Sequence, residues 1–187
     1  MADRGITVLG ISGSLRRGSL NTAALRAAQE LAPAGMAVEL FEGMRDIPPY
    51  DDDLRQEGYP PAAEAFRARI RAADALLIAT PEYNYSVPGV LKNAIDWASR
   101  PPEQPFDGKP IAILGVAPGA IGTARAQYHL RQAFVYLNGM VLNRPEVMIG
   151  QGPSRFDAEG RLTDAKTREF VAAQLLALRD WTERLRR

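Results

Sequence analysis

The chain has no cysteine among its 187 residues. Disulfides, thiolate metal ligands and thiol nucleophiles are therefore excluded. It also has no apolar run that approaches the ~18 residues of a membrane-spanning helix, and residues 1–5 are short of apolar side chains. We therefore expect neither a signal peptide nor a membrane span. Because cysteine is absent, a reducing compartment is permitted, and we expect a cytoplasmic location.

The chain also lacks an excess of charge of either sign, since its formal net charge is +1. Charge therefore gives no argument for binding to nucleic acid or to a membrane surface. The sequence contains no internal repeat, low-complexity tract or linker. Its length suits one compact unit, so we predict a single domain over residues 1–187.

Strand-like and helix-like stretches alternate along the chain. Strands are predicted at residues 7–11, 36–41, 75–80, 111–116 and 141–149, with an interruption at Pro145. Helices are predicted at 20–31, 62–72, 88–99, 123–138 and 163–185, and loops at 47–61 and 150–160. This alternation indicates parallel pairing with right-handed crossovers, and the apolar strands indicate helices on both faces of the sheet. We predict an α/β fold, a flavodoxin-like three-layer sandwich with a five-stranded parallel sheet in the order 2-1-3-4-5.

In this strand order, ligands bind at the carboxyl ends of the strands, which places the loops after strands one, three and four together. The first of these loops, residues 13–21, carries Ser14, Arg16, Ser19 and Asn21 before a predicted helix. Short donors, an arginine and a helix N-terminus suit a phosphate, although Ser19 or Asn21 could instead only cap the helix. Neither the Walker pattern nor the G-x-G-x-x-G spacing is present, so the loop favours a terminal monophosphate such as that of FMN.

The second loop, residues 81–89, places two tyrosines around an amide between stiffening prolines. A planar heterocycle needs such aromatic faces and a few polar groups at its edge. In the third loop, Gly119 and Gly122 permit close approach of the backbone to a flat ring. Taken singly, the second loop could be a turn with surface aromatics, and the third a plain strand-to-helix connection.

These residues resemble the NADPH-dependent FMN reductase family, and within it the soluble chromate and quinone reductases. The likeness covers roughly residues 8–150. It is carried by Gly13-Ser14-Leu15-Arg16 with Ser19 and Asn21, by Pro81-Glu82-Tyr83-Asn84-Tyr85-Ser86-Val87-Pro88-Gly89, by Leu91-Lys92-Asn93-Ala94-Ile95-Asp96-Trp97, by Tyr128-His129-Leu130-Arg131 and by Asn143-Arg144-Pro145-Glu146. The chain departs from this branch in the third loop, where Ala117 and Pro118 stand in place of a frequent hydroxyl residue.

The resemblance implies non-covalent FMN, with its phosphate on the first loop and its ring and ribityl chain along the second and third loops. The residues expected to bind it are Ser14, Arg16, Ser19, Leu20, Asn21, Pro81, Glu82, Tyr83, Asn84, Tyr85, Ala117 and Gly119. The resemblance also implies a homodimer or homotetramer, with Tyr128 and Glu146 as interface residues.

We therefore expect an oxidoreductase that passes hydride from NADPH or NADH through FMN to quinones, chromate or similar small acceptors. Hydride transfer between stacked rings depends on alignment, so no catalytic side chain is predicted. No metal is predicted either, since Asp51, Asp52 and Asp53 are typical of a solvated face. We expect Arg125 to form a salt bridge or to attract an anion, and His129 to be a packing or interface residue. A flavodoxin-type electron carrier, which the +1 charge disfavours, and a flavin-binding sensor are the alternatives.

Overall fold

The computed structural model describes residues 5–186 of the chain. Its strands are β1 Ile6–Ser12, β2 Met36–Leu40, β3 Ala75–Ala79, β4 Pro110–Val116, β5 Met140–Val141 and β6 Val147–Ile149. Its helices are α1 Leu20–Leu31, α2 Asp52–Glu57, α3 Pro61–Ala72, α4 Gly89–Ala98, α5 Ala124–Tyr136 and α6 Ala165–Leu185. Two short 3₁₀ turns, Gly43–Asp46 and Gly152–Ser154, lie in the connections.

The sheet is parallel and has the order β2-β1-β3-β4-β5, which confirms the predicted order. The predicted count of five strands is corrected to six, because the last extended segment is broken in two and both pieces pair with β4. Pro145, which lacks an N–H for the ladder, lies in the break. Gln174 of α6 spans the gap and donates to the carbonyls of Ile113 at 2.9 Å and Pro145 at 3.1 Å.

Helices cover both faces of the sheet, as predicted. Apolar residues of α1 and α6 form one buried cluster with side chains such as Val8 and Leu114. Apolar residues of α3, α4 and α5 form the other, with Leu9 and Ile113. Because successive residues of a strand point to opposite faces, each central strand contributes to both clusters.

The predicted loop at residues 47–61 is corrected by the short helix α2. Asp51 caps this helix by accepting a hydrogen bond from the Asp53 N–H at 2.9 Å. Asp52 accepts from the Tyr50 hydroxyl at 2.7 Å and from Arg55 Nε at 2.7 Å. None of the residues of α2 is buried, so the helix has no apolar periodicity that the sequence could reveal.

The registers of the central strands bring three loops together at one edge of the sheet. The Gly13 N–H donates to the Ala79 carbonyl at 2.8 Å, and the Thr80 N–H donates to the Leu114 carbonyl at 2.9 Å. A Cβ atom on Gly13 would lie 3.2 Å from Pro81 Cδ. The first loop therefore packs directly against the start of the second.

Candidate functional site

A cavity of about 440 Å³ lies between the loops that follow β1, β3 and β4. Nine of the twelve residues predicted to bind the cofactor line it: Ser14, Arg16, Ser19, Leu20, Asn21, Pro81, Glu82, Tyr83 and Ala117. Val116, Pro118 and Pro153 complete the lining, whereas Asn84, Tyr85 and Gly119 do not contribute to it. The fold thus gathers residues from sequence positions more than 100 apart, as the strand order requires.

The first loop presents hydrogen-bond donors at the start of α1. Ser19 is the N-cap, and its hydroxyl accepts from the Thr22 N–H at 3.3 Å. The next two backbone N–H groups, those of Leu20 and Asn21, have no acceptor within the helix because they belong to its first turn. Arg16 is exposed at the cavity and donates to the Gly18 carbonyl at 2.8 Å, which holds its guanidinium over the loop. This arrangement suits an anion.

The side chain of Asn21 is committed to the end of β4. Its Nδ2 donates to the Val116 carbonyl at 3.0 Å, and its Oδ1 accepts from the Val116 N–H at 2.9 Å. Asn21 is buried at 4% exposure. Its amide therefore fixes α1 against β4, while its backbone N–H lies at the helix N-terminus.

The second loop is a two-residue hairpin. Tyr83 and Ser86 exchange backbone hydrogen bonds of 3.1 and 3.0 Å. The two residues at its tip, Asn84 and Tyr85, have positive φ angles of 50° and 64°, as a type I′ turn requires. Tyr83 and Tyr85 are 52% and 66% exposed, so the hairpin presents aromatic surface to the solvent beside the cavity.

Glu82 attaches this hairpin to α5. Its Oε2 accepts from the N–H groups of Arg125 and Ala126 at 3.0 and 3.1 Å, in the first turn of α5. Its Oε1 accepts from Arg125 Nε at 2.6 Å, and Arg125 Nη2 also contacts that oxygen. Burial on its own raises the pKa of Glu82, but the hydrogen bonds from Arg125 and Ala126 outweigh it and lower the pKa below 4.5. The carboxylate is thus ionised and fully engaged by the protein.

Two further contacts join α5 to the hairpin. The guanidinium of Arg125 lies 3.5 Å from the centre of the Tyr85 ring, a cation–π geometry. One turn later, Nδ1 of His129 lies 3.1 Å from the Ser86 hydroxyl. Of the two roles expected for Arg125, the structure shows the salt bridge. His129 is exposed and packs on the hairpin.

The third loop is supported by residues 150–153. The N–H groups of Gln151 and Gly152 donate to the carbonyls of Gly119 at 3.1 Å and Ala117 at 2.9 Å. A Cβ atom on Gly152 would lie 2.5 Å from Val116 Cγ1, so only glycine allows this close packing. This segment, predicted only as part of a surface loop, carries Pro153 to the cavity. The run Gly150-Gln151-Gly152-Pro153 indicates a tight turn, but nothing in it predicts that the turn packs against the third loop.

The residues present fit FMN. The cavity volume is within the roughly 300–1,000 Å³ of small-molecule sites. The helix N-terminus with Ser14 and Arg16 offers donors for a phosphate, whereas Pro81, Tyr83 and Pro118 offer flat apolar surface for a ring.

The described residues include neither a group of metal ligands nor a membrane-spanning helix. Between residues 5 and 186, no three His, Cys, Asp or Glu side chains are grouped so that they could hold a metal ion. Over the same residues, none of the helices has the length and hydropathy needed to cross a membrane.

Comparison with known proteins identifies the family. The model of the NADPH-dependent FMN reductase family matches residues 6–154. The chain belongs to this family. This match confirms the resemblance that the loop motifs indicate.

Relatives of this family match over almost the whole chain. An NAD(P)H-dependent FMN reductase of Pseudomonas aeruginosa is 63% identical over 181 residues, covering 97% of each chain. A quinone reductase of Escherichia coli is 46% identical over 183 residues, again covering 97% of each. Among solved structures, the flavoenzyme NAD(P)H:(acceptor) oxidoreductase FerB of Paracoccus denitrificans superposes with a TM-score of 0.86 at 39% identity, over 96% of this chain and 98% of FerB.

Family membership confirms several predictions. The chain is an oxidoreductase whose cofactor is FMN and whose co-substrate is NAD(P)H. The flavodoxin-like fold is confirmed as well. The alternatives of an electron carrier or a sensor receive no support from these relatives.

Proposed function

We propose that this FMN reductase uses NADPH or NADH to reduce quinones and similar small acceptors, with FMN bound in the cavity between the three loops. The observation that carries the proposal is the pairing, in one cavity, of a helix N-terminus beside Arg16 with the flat surface of Pro81, Tyr83 and Pro118. When bound, FMN accepts hydride equivalents from NAD(P)H and delivers them to the acceptor.

The protein's part in this function is to bind and to orient. Arg16, the Ser14 hydroxyl and the first-turn N–H groups of α1 hold the phosphate. Tyr83 and the backbone of the second and third loops flank the ring, and Glu82 and Asn21 fix those loops in place. Asn84, Tyr85 and Gly119, which lie outside the cavity lining, border the open side where NAD(P)H and the acceptor exchange.

No acid or base is assigned. The titratable side chains that line the cavity are Arg16, Glu82 and Tyr83. Glu82 has both carboxylate oxygens occupied by α5, so it has no free position to exchange a proton with a substrate. Alignment of the two rings is what the site must supply.

We further propose the acceptor range, the location, the domain organisation and the oligomeric state. The acceptors include chromate, and the location is cytoplasmic. The chain is one domain over residues 1–187 and assembles as a homodimer or homotetramer. Exposed apolar side chains on α5 support the assembly, since Tyr128, Val135 and Tyr136 are 52%, 80% and 87% exposed, and such patches mark interfaces.

The experiment is an absorbance titration. Purified protein with FMN is treated anaerobically with NADPH or NADH and then with benzoquinone. A flavin spectrum that bleaches and returns supports the reductase. A flavin spectrum that neither nucleotide bleaches would instead favour the carrier or the sensor.

Arg16→Ala tests the phosphate position. The change removes a charge-assisted contact of roughly 1.5–3 kcal/mol, so FMN affinity should fall about ten- to hundredfold while the fold stays intact. Arg17→Ala is the matched control, because Arg17 is an exposed arginine on the same loop that does not line the cavity. Equal FMN affinity in the two variants would refute the assignment of Arg16.

A further inference from the structure

A second cavity, of about 490 Å³, lies on the other side of the first loop, between α1 and the segment that follows β2. We name it the α1–β2 cavity. It shares only Ser14 with the cavity proposed for FMN. Its lining includes Ser12, Thr22, Arg26, Phe41, Met44 and Arg45. The function proposed above makes no use of it.

Two arginines line the α1–β2 cavity, one from α1 and one from the segment after β2. Arg26 lies on α1 and is exposed, and its side chain forms no hydrogen bond or ion pair with any residue in the range 5–186. Arg45 lies in the 3₁₀ turn after β2, and its Nη2 donates to the Leu15 carbonyl at 2.6 Å. That bond orients the guanidinium and leaves its other donors available. The exposed carboxylate of Glu42 is the one acidic group in the lining, so the cavity has a net positive charge.

The rest of the lining is suited to more than a bare anion. Phe41 packs against Phe66 with a ring-centre distance of 4.8 Å, which anchors an aromatic surface beside the apolar side chain of Met44. The hydroxyls of Ser12 and Thr22 are partly buried and hydrogen-bonded to each other at 2.8 Å. Ser12 also bonds to the backbone of Ser14, so Thr22 offers the remaining hydroxyl capacity to a sugar. Anchored apolar walls with a few polar groups are typical of pockets for small molecules.

The position in the fold indicates the ligand class. In doubly wound parallel sheets that carry the dinucleotide fingerprint, an acidic residue about 20 residues beyond the first loop contacts the adenosine ribose, or an arginine nearby accommodates a 2′-phosphate. The first loop here lacks that fingerprint, so the likeness is limited to the place after β2. The α1–β2 cavity occupies the corresponding place, between the ends of β1 and β2. We propose that it binds a phosphorylated adenosine, with the phosphate between Arg26 and Arg45 and the base against Phe41 and Met44.

Two sources share this chemistry, the adenosine end of NADPH and a free adenine nucleotide. The first source rests on the function proposed above, whereas the second does not. Competition separates them, because a probe that occupies the position of the NADPH adenosine must compete with NADPH in turnover, and a free nucleotide at an independent site need not.

The experiment measures binding of adenosine 2′,5′-bisphosphate to the FMN-loaded protein by calorimetry. Arg26→Ala should weaken binding about ten- to hundredfold, since it removes a charge-assisted phosphate contact. Glu42→Gln should strengthen binding a few-fold, because it removes the opposing charge. Arg184→Ala, an exposed arginine at the far end of α6, should leave binding unchanged. FMN affinity should be the same in all three variants.

Arg45→Ala also removes a contact to the first loop, so Arg26→Ala is the decisive change. No binding of the bisphosphate at millimolar concentration, or equal binding by wild type and Arg26→Ala, would overturn the proposal. If binding holds and Arg26→Ala raises the KM for NADPH more than for NADH, the source is NADPH. If binding holds without competition, the source is a free nucleotide. If NAD(P)H did not bleach the bound flavin of the wild-type protein, the proposed reductase function would be wrong, but the calorimetric result would still test the α1–β2 cavity.

Discussion

Replacement of Glu82 by glutamine should release the second loop from α5. In the folded protein, the Glu82 carboxylate is 6% exposed and accepts hydrogen bonds from two backbone N–H groups of α5 and from the Arg125 guanidinium. Glutamine keeps one acceptor oxygen but turns an NH₂ group toward one of these donor pairs. Hydrogen bonds to charged groups contribute roughly 1.5–3 kcal/mol each, and a helix cap contributes about 1 kcal/mol.

The expected loss of stability is smaller than the sum of these contacts. The Arg125 side chain is 37% exposed, so water replaces part of the ion pair. We expect the free energy of unfolding to fall by about 2 to 3 kcal/mol, and the melting temperature by about 4 to 12 °C for a chain of this length. Urea unfolding of the FMN-free protein, followed by circular dichroism, measures the change.

The control is Glu146→Gln. Glu146 is 36% exposed, accepts from the Tyr128 hydroxyl at 3.3 Å and lies 4.0 Å from Arg131. The Tyr128 contact is exposed and the pair with Arg131 lies at the 4.0 Å limit of an ion pair, so the change should cost no more than about 1 kcal/mol. If Glu82→Gln destabilised the protein no more than Glu146→Gln, the attachment of the hairpin through Glu82 would be wrong.

Three other predictions concern the titration of Glu82 and the substitution of Asn21 and Gly115. The pKa of Glu82 is lowered in the folded state, so the stabilisation that its carboxylate provides is present above its ordinary pKa and is lost as the pH falls through the lowered value. The stability difference between wild type and Glu82→Gln should therefore shrink on acidification. A constant difference in urea midpoints from pH 7 to pH 3 would contradict this. Asn21→Ala leaves both backbone polar groups of Val116 unpaired and should lower stability by about 2 to 4 kcal/mol even without FMN, which a melt of the FMN-free protein would detect. Gly115→Ala should prevent folding, since a Cβ atom would lie inside contact distance of the Thr80 carbonyl; soluble, folded protein would show that β4 can shift.

The sequence predicts the central fold well where periodicity and turn residues agree. The bounds of α1 are predicted to the residue, because Ser19 caps its start and Pro33 and Gly35 follow its end. Prediction from the sequence is wrong where an element is stabilised by specific side-chain contacts instead of apolar periodicity. Helix α2 buries none of its residues and depends on Asp51 and Asp52. The interruption of the last strand at Pro145 is predicted and confirmed, whereas no local pattern encodes the contact of Gln174 with Ile113, 61 residues away.

The candidate site shows the same limit. Local composition indicated which loops matter, because donors before a helix and aromatics between prolines carry chemistry of their own. It did not indicate which polar groups the protein uses for itself. Asn21 and Glu82 have the types expected of ligand contacts, yet their side chains bind Val116 and Arg125. A polar side chain that is hydrogen-bonded to a residue distant in sequence is not available to a ligand, and such a partner is identified only from the folded structure.

These internal contacts support the proposal that the open cavity positions the FMN ring. Each loop is held by contacts with a neighbouring element: the first by the bonds of Asn21 to Val116 of β4, the second by the bonds of Glu82 to α5, and the third by the backbone of Gly152. The loops are therefore ordered before a ligand arrives, and binding need not supply their ordering free energy. An aromatic tip such as Tyr85 can stay exposed and still keep its position, because Arg125 stacks on its ring. With FMN in the proposed position, a frame with one open side would let successive small molecules reach the same ring, and such a face would have few contacts with which to select among acceptors.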